Sequence, residues 1–153
     1  MLRQTLGDFS SIVCFKAAIT GMEDALGDKA TAIALTTSGR SRGKQLAQEL
    51  NLSIATMSWE DITSKISYAL GKDGTRLCIV ENIFLEGEKI IVQTSETLCS
   101  AGEPQGSERK CTYTLGAIWG AMEQVTGKRL LGKHTESVLR GGNYDVFEFA
   151  ELK

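Results

Sequence analysis

At 153 residues the chain has the size of one domain, long enough to bury roughly 70% of its unfolded surface without help from disulfides or metals. A net charge of −2 and a pI near 5.5 lack the basic excess of a nucleic-acid-binding surface. No apolar run reaches the length of a membrane span, and residues 1–8 do not have the shape of a signal peptide. The expectation is a single cytoplasmic domain over residues 1–153, with its four cysteines as thiols and none of them in a Cys-x-x-Cys pair.

Asp8 or Ser10 can cap a first helix, in which Ile12, Phe15, Ile19, Met22 and Leu26 recur at intervals of three and four and Gly27 is placed to stop. Cys14, beside this stripe, reads as a small buried hydrophobe. A second helix over 29–50 lines up Ala32, Leu35, Gly39, Gly43, Leu46 and Leu50. Its Gly39–Gly43–Lys44 stretch has the wrong glycine spacing for a phosphate loop, and Gln45 stands where that loop needs Ser or Thr. It reads instead as a small-residue notch where two helices cross. Ser58 opens a third helix with a capping-box-like arrangement. Trp59, Ile62, Ile66 and Leu70 form its buried face, and Gly71 or Gly74 ends it.

The period then changes from helical to alternating. Residues 76–85 read as a strand apolar on both faces, with Leu77, Ile79, Ile83 and Leu85 on one and Cys78, Val80 and Phe84 on the other, so that both faces are expected to be covered. A turn and residues 89–95 complete a hairpin. Residues 95–109 form a long polar loop with the only proline, Pro104, and loops of this length are commonly functional. The helix that follows has the stripe Leu115, Ile118, Trp119, Met122 and Val125, with Gly116 and Gly120 four apart on its flank. Thr112 or Thr114 can cap its start, and Gly127 can end it in the left-handed conformation. Two interior glycines cost roughly 1 kcal/mol each relative to alanine, and close approach of a backbone or a ligand is the physical reason to keep them. Strands over 129–139 and 144–152 close the chain. Helices and strands segregate, so the fold class is α+β: N-terminal helices and an antiparallel sheet of about four strands in two hairpins, with the glycine-containing helix between them.

Candidate chemistry is sparse. His134 is the only histidine and shares a strand face with Glu136; with Cys99 or Cys111 the pair could hold zinc, but no ligand spacing is diagnostic, so the expectation is no metal, no cofactor and no catalytic residue. Glu123 reads as an exposed helix glutamate. Tyr113, Gly116, Trp119 and Gly120 are the candidate ligand-binding residues, amphipathic rings beside positions where glycine leaves room.

The pattern Cys111-x-Tyr113-Thr114-x-Gly116-x-x-x-Gly120-x-x-Glu123-x-x-Thr126-Gly127 resembles the signature helix of the vinyl reductase-type, or hydrocarbon-binding, domain, a family related to the Bet subunits of the TRAPP tethering complex. Ser38–Ala47 and the stretch from Ile90 to Gly102 resemble further parts of that family, whereas its two C-terminal cysteines are missing here, with no cysteine after Cys111. Family members with those cysteines can hold a metal near the ligand pocket, and their loss is the basis for expecting none. The resemblance implies an α+β fold, a pocket for a small apolar or aromatic molecule and homodimerisation through helices. The reading is a ligand-binding domain of sensory or carrier type. The alternatives are a protein-interaction scaffold of the Bet type and an enzyme acting on a tetrapyrrole-like substrate.

Overall fold

A computed structural model describes residues 1–153. Its elements are α1 (Ile12–Leu26), α2 (Asp28–Glu49), α3 (Trp59–Leu70), β1 (Ile79–Glu86), β2 (Lys89–Ser95), α4 (Thr112–Thr126), β3 (Leu130–Glu136) and β4 (Asp145–Glu151), with a 3-10 turn at Val138–Arg140. The class is α+β as expected, with one antiparallel sheet in the order β1-β2-β4-β3.

Local chemistry sets most boundaries. The cap of α1 is Ser11, whose Oγ accepts the Val13 N–H, and Gly27, at φ 83°, ends the helix. Ser58 caps α3 by accepting from the Asp61 N–H. The start of α4 has no side-chain cap: Cys111 occupies the position, and neither Thr112 nor Thr114 takes the capping role expected of them. Gly127 closes α4 in the left-handed region at φ 67°.

The core lies between α2, α3, α4 and the inner face of the sheet, where Ile62, Ile66, Ile118, Met122, Phe147 and Phe149 are all but fully buried. Each such side chain contributes roughly 1.5–3 kcal/mol of transfer free energy. At its centre α2 and α4 run in the same direction in backbone contact. Gly39 meets Tyr113, Gly43 meets Ala117, Gly116 meets Thr36 and Gly120 meets Arg40, and a Cβ at any of the four would collide with main-chain atoms of the facing helix. The small-residue notch expected in the second helix is this seam.

The first strand departs from its expected two-sided burial. The register shifts between Val80 and Asn82, so Val80 and Ile83 are both buried while Ile79, Phe84 and Leu85 are 43%, 40% and 53% exposed. A bulge inserts one unpaired residue and reverses the alternation beyond it. A second shift, between His134 and Glu136, does the same in β3: His134 stays with the core and Glu136 is exposed.

Candidate functional site

The largest cavity, about 920 Å³, opens where the N-terminal segment and α1 lie across α2, α4 and two loops. Phe9, Ile12 and Phe15 form one wall, Leu46 and Ala117 the floor, and Leu70, Leu77, Leu98 and Ala101 the remainder. Tyr113 joins them, its ring packed edge-on against Phe15 with centroids 5.6 Å apart. Polar groups gather on the lining as Asp8, Arg42, Arg76 and Glu96. The Arg76 guanidinium sits 4.4 Å above the Phe9 ring and ties the N-terminal segment over the cavity. A largely apolar hollow with a few charged groups suits an apolar molecule carrying one polar group.

The loop over 96–110 is held in place by charge. Lys16 on α1 donates to the Cys99 carbonyl at 3.4 Å and to that of Ala101, and pairs with Glu103 at 2.8 Å. Arg109 bridges Glu103 at 3.0 Å and Glu23 at 2.9 Å. The Lys16 hydrogen bond, opposing burial, holds the Glu103 carboxyl below its usual range, and Arg109 adds to the effect.

Of the candidate ligand residues, Tyr113 alone lines this cavity. Gly116 and Gly120 face the α2 backbone, which fills the room their missing Cβ atoms leave. Trp119 lies on another side of α4, lining a shallow groove. There its Nε1 donates to the Leu130 carbonyl at 2.9 Å, its ring packs over Gly132, and Arg40 stacks 4.6 Å from its centroid. Glu123 is not the exposed residue expected. It chelates the Arg40 guanidinium at 2.6–2.9 Å and accepts the Leu130 N–H at 2.9 Å, locking α2, α4 and β3 together. Phe9, Leu77 and Leu98 were not expected at a site. Their only signals were apolar side chains in a terminal segment, just before a strand and in the long loop, and none has a diagnostic spacing.

The cysteines also depart from expectation. Cys14 is exposed and lines the cavity, while Cys78 is buried, its thiol pushed up to about 12 by burial and then by the charge of Asp145. Cys99 and Cys111 form a disulfide, because the loop doubles back and brings their Cα atoms to 5.2 Å. Against the bridge stands the expected histidine with a different partner. Since the bulge turns Glu136 outward, His134 Nε2 pairs with Asp145 Oδ1 at 3.1 Å, and its Nδ1 faces the Cys111 N–H at 3.5 Å. Burial pushes the Asp145 carboxyl up, but the His134 hydrogen bond and the hydroxyls of Ser137 and Ser100 outweigh it and hold it below the ordinary range.

No family model matches the sequence, and no curated protein matches it. Solved structures share the fold. The phenol-responsive sensory domain of the transcription activator PoxR, in its complex with phenol, superposes with a TM-score of 0.72 at 12% identity, over 95% of this chain and 76% of that one. A trafficking protein particle complex subunit 3 from Naegleria fowleri, covalently bound to palmitic acid, gives 0.60 at 15% identity over 93% of both chains. A vinyl-4-reductase family protein from Methanocaldococcus jannaschii gives 0.57 at 17% identity, over 97% of this chain and 85% of that one.

Proposed function

We propose that residues 1–153 form one cytoplasmic domain that binds a small apolar or aromatic molecule in the cavity beneath α1, in a sensory or carrier role. The cavity itself carries the reading: about 920 Å³, walled by Phe9, Ile12, Phe15, Leu98 and Tyr113, with Arg42, Arg76, Asp8 and Glu96 available to orient one polar group. That size suits a small organic ligand. The fold neighbours support the class, since one is described with phenol and another with a palmitic acid. The polar loop over 96–110 supplies Leu98 and Ala101 to the wall.

A scaffold role of the kind implied by the trafficking-complex neighbour is the second reading. It draws on the exposed apolar residues of β1 and α1, among them Ile79, Phe84, Leu85 and Val13. The two readings separate in a thermal-shift experiment against a panel of aromatic and aliphatic ligands. A ligand present at a hundred times its dissociation constant is expected to add about 2.7 kcal/mol of stability. Ile12→Glu, at a half-exposed cavity position, is expected to leave the melting temperature of the free protein nearly unchanged and to weaken that ligand at least tenfold by placing a carboxylate in the apolar wall. A melting temperature indifferent to the whole panel sinks the ligand-binding reading and favours the scaffold.

A further inference from the structure

Four charged groups stand on the lining of the large cavity, and they differ in how free they are to meet a guest. Asp8 is taken up by its own segment. Its Oδ1 accepts the N–H groups of Leu2 at 2.7 Å and Arg3 at 3.1 Å, and its Oδ2 lies 3.8 Å from the N-terminal ammonium. Arg42 touches Glu49 at 3.5 Å, a solvent-exposed contact of little energetic weight. Arg76 and Glu96 form no ion pair within the chain. We infer that the guest is a monocarboxylic acid with an apolar body, its carboxylate seated on the Arg76 guanidinium at the rim and its body in the cavity. This inference rests on the ligand-binding reading of that cavity and names the class of molecule it takes.

Arg76 is placed for this role by its surroundings. The turn after α3 is pinned back to the end of that helix by three main-chain bonds, from the N–H groups of Thr75, Arg76 and Leu77 to the carbonyls of Ala69, Gly71 and Leu70. They hold Arg76 at φ 56°, in the left-handed region that residues other than glycine rarely adopt. Strain of this kind persists only where the surroundings over-determine it, and it gathers at ligand clamps. Glu96, at φ 45°, lies on the same lining, so two of the chain's three non-glycine residues with positive φ border this one cavity. The guanidinium is held as well. Its Nε donates to the Lys72 carbonyl at 3.0 Å, and one face lies 4.4 Å from the centroid of the Phe9 ring. What remains is the edge formed by Nη1 and Nη2, which donates to no protein group. Parallel N–H groups on such an edge match the two oxygens of a carboxylate. Face and edge serve different partners, so a carboxylate seats without displacing Phe9.

Position favours a charged head over a buried polar one. Arg76 lies on the lining and is itself exposed, so the carboxylate stays at the rim in contact with water and avoids the cost of a buried charge. Phe15, Leu46, Leu98 and Ala117 receive the body. The sign of the head follows from what is held in place. No hydrogen bond fixes the exposed Glu96 carboxylate, whereas the Arg76 guanidinium is fixed at Nε and on one face. A group already oriented loses less freedom on binding. Arg42 adds a second positive charge to the lining, and Asp8 and Glu96 disfavour a doubly negative head such as a phosphate ester.

Titration calorimetry on the whole chain at neutral pH tests this with two trios of compounds. Phenylbutyrate, phenylbutanol and phenylbutylamine share one body, octanoate, octanol and octylamine another, and within each trio only the head differs. In a trio whose body fits, the acid is expected to bind at least about tenfold tighter than the alcohol, with the amine weakest. Arg76→Gln should bring the acid to within about threefold of the alcohol. Arg76→Lys keeps the charge but loses the planar fork, and should retain only part of the preference. An acid that binds no tighter than its alcohol overturns the inference while leaving the cavity as the ligand site. An amine tighter than its acid overturns it too and assigns the head to Glu96. So does an Arg76→Gln variant that keeps the full preference for the acid. Failure of all six compounds to bind removes the ligand-binding reading itself, and this inference with it.

Discussion

Glu103 receives Lys16 and Arg109 together and so fastens the 96–110 loop to α1. Its carboxyl is held below the ordinary range first by the Lys16 hydrogen bond, which opposes burial. A carboxylate whose pKa is lower folded than unfolded adds stability above its unfolded value and loses it as pH falls through its folded value. Glu103→Gln is therefore expected to cost about 0.5–1 kcal/mol at pH 7, the scale of a partly screened ion pair. The difference between the two proteins should vanish in acid, below the folded Glu103 value. Chemical denaturation across pH 2–7 checks it, and a deficit that persists at the acid end would assign the loss to packing. At this scale the sequence was legible in part. It singled out His134, Cys99 and Cys111, but paired the histidine with Glu136, two residues away on the same strand. The bulge and the cross-strand partner Asp145 exist only once β3 has met β4, and no spacing along the chain announces them.

The seam between α2 and α4 admits no side chain. On a free helix surface Gly120→Ala would gain roughly 1 kcal/mol in helix propensity. Here the new methyl group must displace the Arg40 carbonyl, a main-chain atom that cannot rotate away. Overpacking costs roughly 1–3 kcal/mol in a well-packed site, so net destabilisation is expected. Gly43→Ala, against the Ala117 main chain, should behave alike. Urea titration reads both, and a stabilised Gly120→Ala would mean that the helices do not touch there. Most elements were legible because periodicity and terminal glycines are local signals: Gly27, Gly71 and Gly127 all end helices as their positions implied. The pairing of the two glycine motifs across more than seventy residues was not. Gly116 and Gly120 signalled a close approach without saying whether a ligand or a backbone makes it.

For the whole molecule, the sheet leaves Ile79, Phe84, Leu85 and Leu131 between 40% and 53% exposed, and the N-terminal helical layer leaves Val13, Leu26 and Ile33 between 61% and 72% exposed. Apolar exposure on this scale favours self-association, and we expect a homodimer at micromolar concentration. Sedimentation velocity decides it, a single monomeric species being the adverse result. The cavity was the least legible feature, because its walls come from the N-terminal segment, α1, α2, the end of α3, two loops and α4. No window of sequence contains more than a fragment of it, whereas Tyr113, on the best-marked helix, could be found. The glycine seam also sets how the molecule can change shape. Two helices in main-chain contact have no side chains between them that could switch rotamer and absorb a small slip. Sliding one past the other would force Cα and carbonyl atoms over each other in steps of a full turn, about 5.4 Å. Such a pair moves as one rigid piece, like two gears keyed to a single shaft. Any breathing that lets a guest in or out then falls to α1 and the strap before it, which join that piece by main chain only at Gly27 and otherwise rest on it through side chains.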